Sequence, residues 1–123
     1  MSSDSSSYIT VFGSNLSPNV ERLDEIFDLY CLAAKKMTEV ANSDLAILYG
    51  NFKQAKFGNN TSEKPWFYEM VASEKWQAWT ACQDKRPDLS MFDYIVKADQ
   101  LLIRQFGVEE TRRIIKDLAQ NNA

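Results

Sequence analysis

Apolar residues recur at intervals of three and four in several separate stretches of this 123-residue chain, and that spacing limits the possible folds more than any other feature. Val20, Leu23, Phe27, Tyr30, Ala34 and Met37 make one such face. Ser17–Pro18 stands before it as a capping residue and a first-turn proline, so the first helix is expected to start there. Asn42–Ser43–Asp44 interrupts the pattern and is expected to cap a second helix reaching Phe57–Gly58, with Leu45, Leu48, Tyr49 and Phe52 along its stripe. Gly58 to Pro65 reads as a polar loop, followed by an aromatic cluster, Trp66–Phe67–Tyr68. A short third helix around Ala72–Gln83 carries Trp76 and Trp79 as core anchors. Pro87–Asp88 opens a fourth, with Met91, Ile95, Ala98, Leu102 and Phe106 on its inner face and Gly107 as its stop. Val108–Ala119 adds an amphipathic stretch, with Ile115 and Leu118 inward and Arg112, Arg113 and Lys116 outward.

The expected architecture is therefore all-α: four main helices with short connections, over residues 17–107. Residues 1–16 read as a flexible or extended arm, in which Tyr8–Phe12 is β-prone but too short to make a sheet alone. Residues 108–123 read as an extension with a short helix. Heptad spacing does not persist beyond one helix, which argues against a long coiled coil. The length suffices for one hydrophobic core. No apolar run approaches the ~18 residues of a membrane-spanning helix, and the Ser-rich start has neither the basic nor the apolar region of a secretory signal.

Several kinds of chemistry are excluded by composition. The chain has no histidine, which removes His-based triads, His general bases and the common zinc sites. Fourteen Lys and Arg against 17 Asp and Glu give a net charge of -3, the wrong sign for a general nucleic-acid binder. Any anion site must then be a local cluster of cations. Cys31 and Cys82 lack metal-ligand spacing and read as two free thiols of a reducing compartment, with a disulfide or a reactive thiol as the alternative. No nucleophile–base motif is present, so the chain is expected not to be an enzyme.

Two segments offer binding groups. In Tyr49–Gly50–Asn51–Phe52–Lys53–Gln54, residues 49, 52 and 53 share one helical face and present a hydroxyl, a flat ring and an ammonium. A phosphorylated aromatic ligand needs those groups: a donor and a cation for phosphate, and a plate for a base. In Lys75–Trp76–Gln77–Ala78–Trp79, Lys75 and Trp79 are i, i+4 neighbours. Taken singly, each of these residues reads as core packing or a solvated charge, as do Tyr94 and Lys35.

Their order and spacing together are specific. Leu48–Ala55, Gly58, Thr61–Pro65, Lys75–Trp79, Met91 and Tyr94–Ile95 resemble the acyl-CoA-binding protein family. The family pattern is a Tyr-Gly-x-Tyr-Lys-Gln-Ala helix, a Gly…Glu-Arg/Lys-Pro loop, a Lys-Trp-x-Ala-Trp helix and a later Tyr-Ile pair. The match runs without gaps from about Asp44 to Leu101, and in weaker form back to Phe27 and on to Gly107.

The resemblance implies an antiparallel four-helix bundle with a bowl between its helices. It assigns Lys53 and Lys75 to phosphates of the CoA head, chiefly the ribose 3′-phosphate, and the Tyr49 and Tyr94 hydroxyls to the same neighbourhood. Phe52 would border the adenine, and Lys35 would be a further cation. The implied function is non-covalent binding of medium- to long-chain fatty acyl-CoA by a cytoplasmic, monomeric carrier and pool former, without cofactor, metal or nucleic-acid partner. This chain departs from the family at Phe52, where the family usually has a second Tyr. It departs again at Tyr30, where a small residue is usual and a large ring is expected to narrow or reshape the pocket. Trp66 stands where Gly is often found, and both ends are extended. These departures motivate an alternative, a protein-interaction domain of the same fold with weak or lost ligand binding.

Overall fold

A computed structural model of the chain describes residues 22–121, which form four helices and, among them, no strand. These are α1 (Leu23–Ala34), α2 (Asn42–Phe57), α3 (Met70–Thr80) and α4 (Pro87–Asn121). The expected N-terminal arm, the start at Ser17–Pro18 and Val20 lie outside the described residues.

α1 buries Leu23, Ile26, Phe27, Tyr30 and Ala33, the three-and-four spacing of a single inward face. It ends before Met37, which the apolar pattern had placed on it. The amides of Lys35, Lys36 and Met37 bond back to the carbonyls of Leu32, Ala33 and Ala34, a tightened last turn rather than further α-helix. Met37 still packs on the core, from the connection. That connection is held to α4 by a reciprocal pair: Gln105 Nε2 donates to Thr38 Oγ1 at 2.7 Å, and the Thr38 amide donates to Gln105 Oε1 at 3.2 Å.

Extended Ala41 precedes α2, and no side chain caps that helix. Asn42–Ser43–Asp44 is thus its first turn rather than its cap, and Asp44 pairs with Lys97 of α4 at 2.9 Å. Leu45, expected inside, is 46% exposed. α3 begins before Ala72 and ends before Gln83. Residues 81–84 are turns, and Asp84 takes a positive φ of 68° that a continuing helix cannot hold. α4 is interrupted at Gly107, whose φ of 86° and ψ of 163° separate residues 87–106 from 108–121.

The core is one cluster joining Phe27, Tyr30 and Ala33 to Ile95, Ala98 and Leu102, and Ile114 and Ile115 of the distal arm belong to it. α4 packs against both α1 and α2, and α2 packs against α3. α1 and α2 make no direct backbone contact, so a bowl opens between them with α4 beneath. The bundle is all-α and of the expected four-helix type.

Candidate functional site

The α2–α3 seam depends on Gly50. A Cβ built there would lie 2.3 Å from the Ala78 carbonyl oxygen and 2.9 Å from its carbon, so only glycine permits this approach. The approach sets Tyr49 and Lys53 of α2 beside Lys75 of α3. The Lys53 ammonium is 6.0 Å from the Tyr49 ring centre, 4.4 Å from that of Phe57 and 4.7 Å from that of Trp79. The Lys75 ammonium lies 5.5 Å from the same Tyr49 ring. Two cations thus lie over the Tyr49 ring. Trp76 and Trp79 are half-buried and not core anchors, since α3 buries none of its residues. Their indoles instead tie α3 to the loop before it: Trp79 Nε1 donates to the Gly58 carbonyl at 2.8 Å, and Trp76 Nε1 to that of Ser62 at 3.0 Å.

The bowl between α1 and α2 has an aromatic wall. Phe52 stacks on Phe27 with centres 6.2 Å apart, and Tyr94 meets Phe27 edge-on at 5.1 Å. A cavity of about 540 Å³ opens there, lined by Cys31 of α1, Lys35 at its C-terminal cap, Phe52 and Lys56 of α2 and Tyr94 of α4. A second, of about 290 Å³, shares Ala34, Phe52 and Tyr94 with it and adds Met37, Val40, Leu48 and Tyr49. A third, of about 320 Å³, shares Leu45 and Tyr49 with the second and adds Val71, Lys75 and Ala78. Together they make one trough from α1, across α2, to α3. Charged side chains stand at its two ends, Lys35, Lys56 and Asp28 at one and Lys75 and Glu74 at the other, and its middle is apolar.

All six residues singled out by sequence line this trough or border it. Tyr49, Phe52, Lys75, Tyr94 and Lys35 line cavities, and Lys53 sits over the Tyr49 ring. Among the described residues, no carboxylate lies within ion-pair distance of Lys35, Lys53 or Lys75. Burial drives the Tyr94 hydroxyl well above the ordinary phenol range, and its contact with Cys31 adds to the shift. Burial likewise pushes the Cys31 thiol up to about 11, against a smaller opposing effect of the Tyr94 hydrogen bond. Both groups are therefore neutral at pH 7.

Tyr30 corrects an expectation. Its ring does not narrow the pocket. It is fully buried among the core residues, and its hydroxyl donates to Asp99 Oδ1 at 2.5 Å. A residue the sequence reading passed over is Lys56, whose ammonium lies 3.4 Å from Asp28 Oδ1 at the rim of the largest cavity of the trough. Its i+4 spacing from Phe52 was the available signal. Among the described residues, no group of three or more His, Cys, Asp or Glu is placed to hold a metal ion.

The family model described as "Acyl CoA binding protein" matches residues 24–98. The chain belongs to the acyl-CoA-binding protein family. An acyl-CoA-binding protein of Brassica napus is 43% identical over 81 residues, covering 65% of this chain and 88% of that protein. Acyl-CoA-binding domain-containing protein 6 of Arabidopsis thaliana is 42% identical over 81 residues, with the same coverage of 65% and 88%. Among solved structures, Oryza sativa Acyl-CoA-Binding Protein 2 superposes with a TM-score of 0.66 at 36% identity, covering 68% of this chain and 91% of that one. The acyl-CoA-binding protein of Moniliophthora perniciosa gives a TM-score of 0.68 over 79% of this chain and 95% of its own, and at 19% identity it speaks for the fold alone. The family match ends within α4, so Gly107 and the distal arm lie beyond it.

Proposed function

We propose that this protein binds medium- to long-chain fatty acyl-CoA esters without covalent chemistry and serves as a cytoplasmic, monomeric carrier of them. The observation that carries this reading is the trough with uncompensated cations around Tyr49 and an apolar stretch beside them. Lys53 and Lys75 take the ribose 3′-phosphate, with the Tyr49 hydroxyl as a further donor. The neutral Tyr94 phenol donates from the floor of the bowl. Phe52 supplies a plate for the adenine, and Lys35 adds charge at the α1 rim. The acyl chain follows the apolar surface of Met37, Val40, Leu45 and Leu48 toward Val71 and Ala78.

The magnitudes separate the two ends of the ligand. Each charge-assisted hydrogen bond to the head contributes ~1.5–3 kcal/mol. Each methylene taken from water contributes ~0.8 kcal/mol, so the tail dominates affinity and the head selects the CoA ester over the free fatty acid. Cys31, the thiol in the bowl, is held protonated, which makes it a poor nucleophile toward the thioester. The alternative interaction-domain reading loses one of its motives, because Tyr30 lies outside the trough.

Calorimetric titration with a long-chain acyl-CoA tests the proposal. Binding at micromolar concentration or below is expected, with Lys53→Ala and Lys75→Ala each weakening it about ten-fold, equivalent to about 1.4 kcal/mol. No heat and no change in tryptophan fluorescence would end the reading.

A further inference from the structure

One cation at the trough has no part in the assignments above. Lys56 follows Phe52 by four residues, which places both on one side of α2, and it borders the cavity shared by Phe52, Tyr94 and Lys35. Lys53, three residues earlier, turns the other way and puts its ammonium among Phe57 and Trp79, on the α3 side. Lys56 reaches toward α1 instead, 5.6 Å from the Phe27 ring centre and 3.4 Å from Asp28 Oδ1. α2 thus divides its cations between two places. Lys53 and Lys75 lie over the Tyr49 ring, while Lys56 and Lys35 line one cavity with Phe52.

A CoA head group divides its charge in the same manner, into a phosphate monoester at the ribose 3′ position and a diphosphate at the 5′ position. Resting on the acyl-CoA reading, we propose that Lys56 binds the diphosphate, and that Asp28 competes with it for the same ammonium. The Lys56–Asp28 pair is built to be displaced. Its side chains are 42% and 64% exposed, so solvent screens it. Its 3.4 Å separation is longer than a charge-assisted hydrogen bond of about 2.7–2.9 Å. A diphosphate brings more charge and more acceptor oxygens than one carboxylate. Lys56 also supplies a donor on the face where Phe52 lacks a hydroxyl.

The test compares a long-chain acyl-CoA with its 3′-dephospho counterpart by calorimetry at low salt. Lys56→Ala should weaken both ligands about five-fold, whereas Lys53→Ala should lose most of its effect on the dephospho ester. Asp28→Asn should tighten both ligands about two-fold by releasing the competitor. The double variant should bind no more tightly than Lys56→Ala alone, and Lys56→Arg should bind like the parent. Both side chains are exposed, and circular dichroism checks that each variant stays folded. Unchanged affinity in Lys56→Ala overturns the proposal, and so does a loss confined to the ligand that carries the 3′-phosphate. A parent protein that binds neither ester removes the acyl-CoA reading and this inference with it. A parent that binds both, with Lys56→Ala indifferent, removes this inference alone.

Discussion

α1 and α3 are nearly equal in length, 12 and 11 residues, yet the molecule holds them in opposite ways. α1 buries five side chains in the core, and α3 buries none. What fixes α3 is the close approach of Gly50 to Ala78 and a set of directional bonds from the preceding loop. The two indoles reach carbonyls of that loop, and Asn60 Nδ2 donates to Thr80 Oγ1 at 3.0 Å. The two ends of the trough therefore stand on different supports. Lys35 rides on a helix anchored by hydrophobic burial, and Lys75 on one anchored by geometry and polar contacts. Position at the ligand can thus be lost at one end while the fold persists.

The largest expected effect lies on the core side. Leu102 is fully buried, and Leu102→Ala should cost ~2–5 kcal/mol in denaturant unfolding while leaving the acyl-CoA affinity of the folded protein intact. Gly50→Ala comes next. Its new methyl meets the Ala78 carbonyl, so α3 must shift, at ~1–3 kcal/mol of stability and with a disproportionate loss of acyl-CoA affinity. If Gly50→Ala unfolded the chain more readily than Leu102→Ala, α3 would have to be counted as core and the contrast would fail. Trp79→Phe removes the donor to Gly58, worth ~0.5–1.5 kcal/mol, and trims the ring that the Lys53 ammonium and Phe57 contact. Its sharper readout is amide exchange, which should quicken across residues 70–80 and stay unchanged near Ile95 and Leu102. Smallest is a pH effect on the α1 side. Burial holds the Cys31 thiol at about 11 against an ordinary 9.0, so the folded state favours the protonated form. That contribution is fully present below pH 9 and disappears as pH rises through about 11. Cys31→Ala should flatten this part of the alkaline melting profile.

What could be read from the sequence follows the same divide. The inner face of α1 from Leu23 to Ala33 was legible because helical periodicity records burial directly. The Tyr49, Lys53 and Lys75 neighbourhood was legible because i, i+4 spacing and the family pattern point the same way. The role of Gly50 leaves no mark in the sequence, since its reason is a backbone carbonyl on another helix. The Lys56–Asp28 pair and the Tyr30–Asp99 hydrogen bond span 28 and 69 residues, distances over which single-sequence patterns carry no signal. Helix ends were misplaced where no breaker residue marks them. α1 closes through backbone bonds of its own, and Asn42–Ser43–Asp44 looks like a cap but is spent on the first turn and on Lys97.

The bend at Gly107 bears on where this domain can be cut. The family match stops at residue 98, yet beyond the bend Thr111, Ile114 and Ile115 return to the interior, and the two isoleucines join the cluster that holds Tyr30 and Leu102. Trimming the chain to the family boundary would uncover that cluster and leave a sticky, weakly folding fragment. A piece that keeps this core covered therefore extends through the second arm, and a fluorescent reporter fused for acyl-CoA sensing belongs after residue 121 rather than after residue 98.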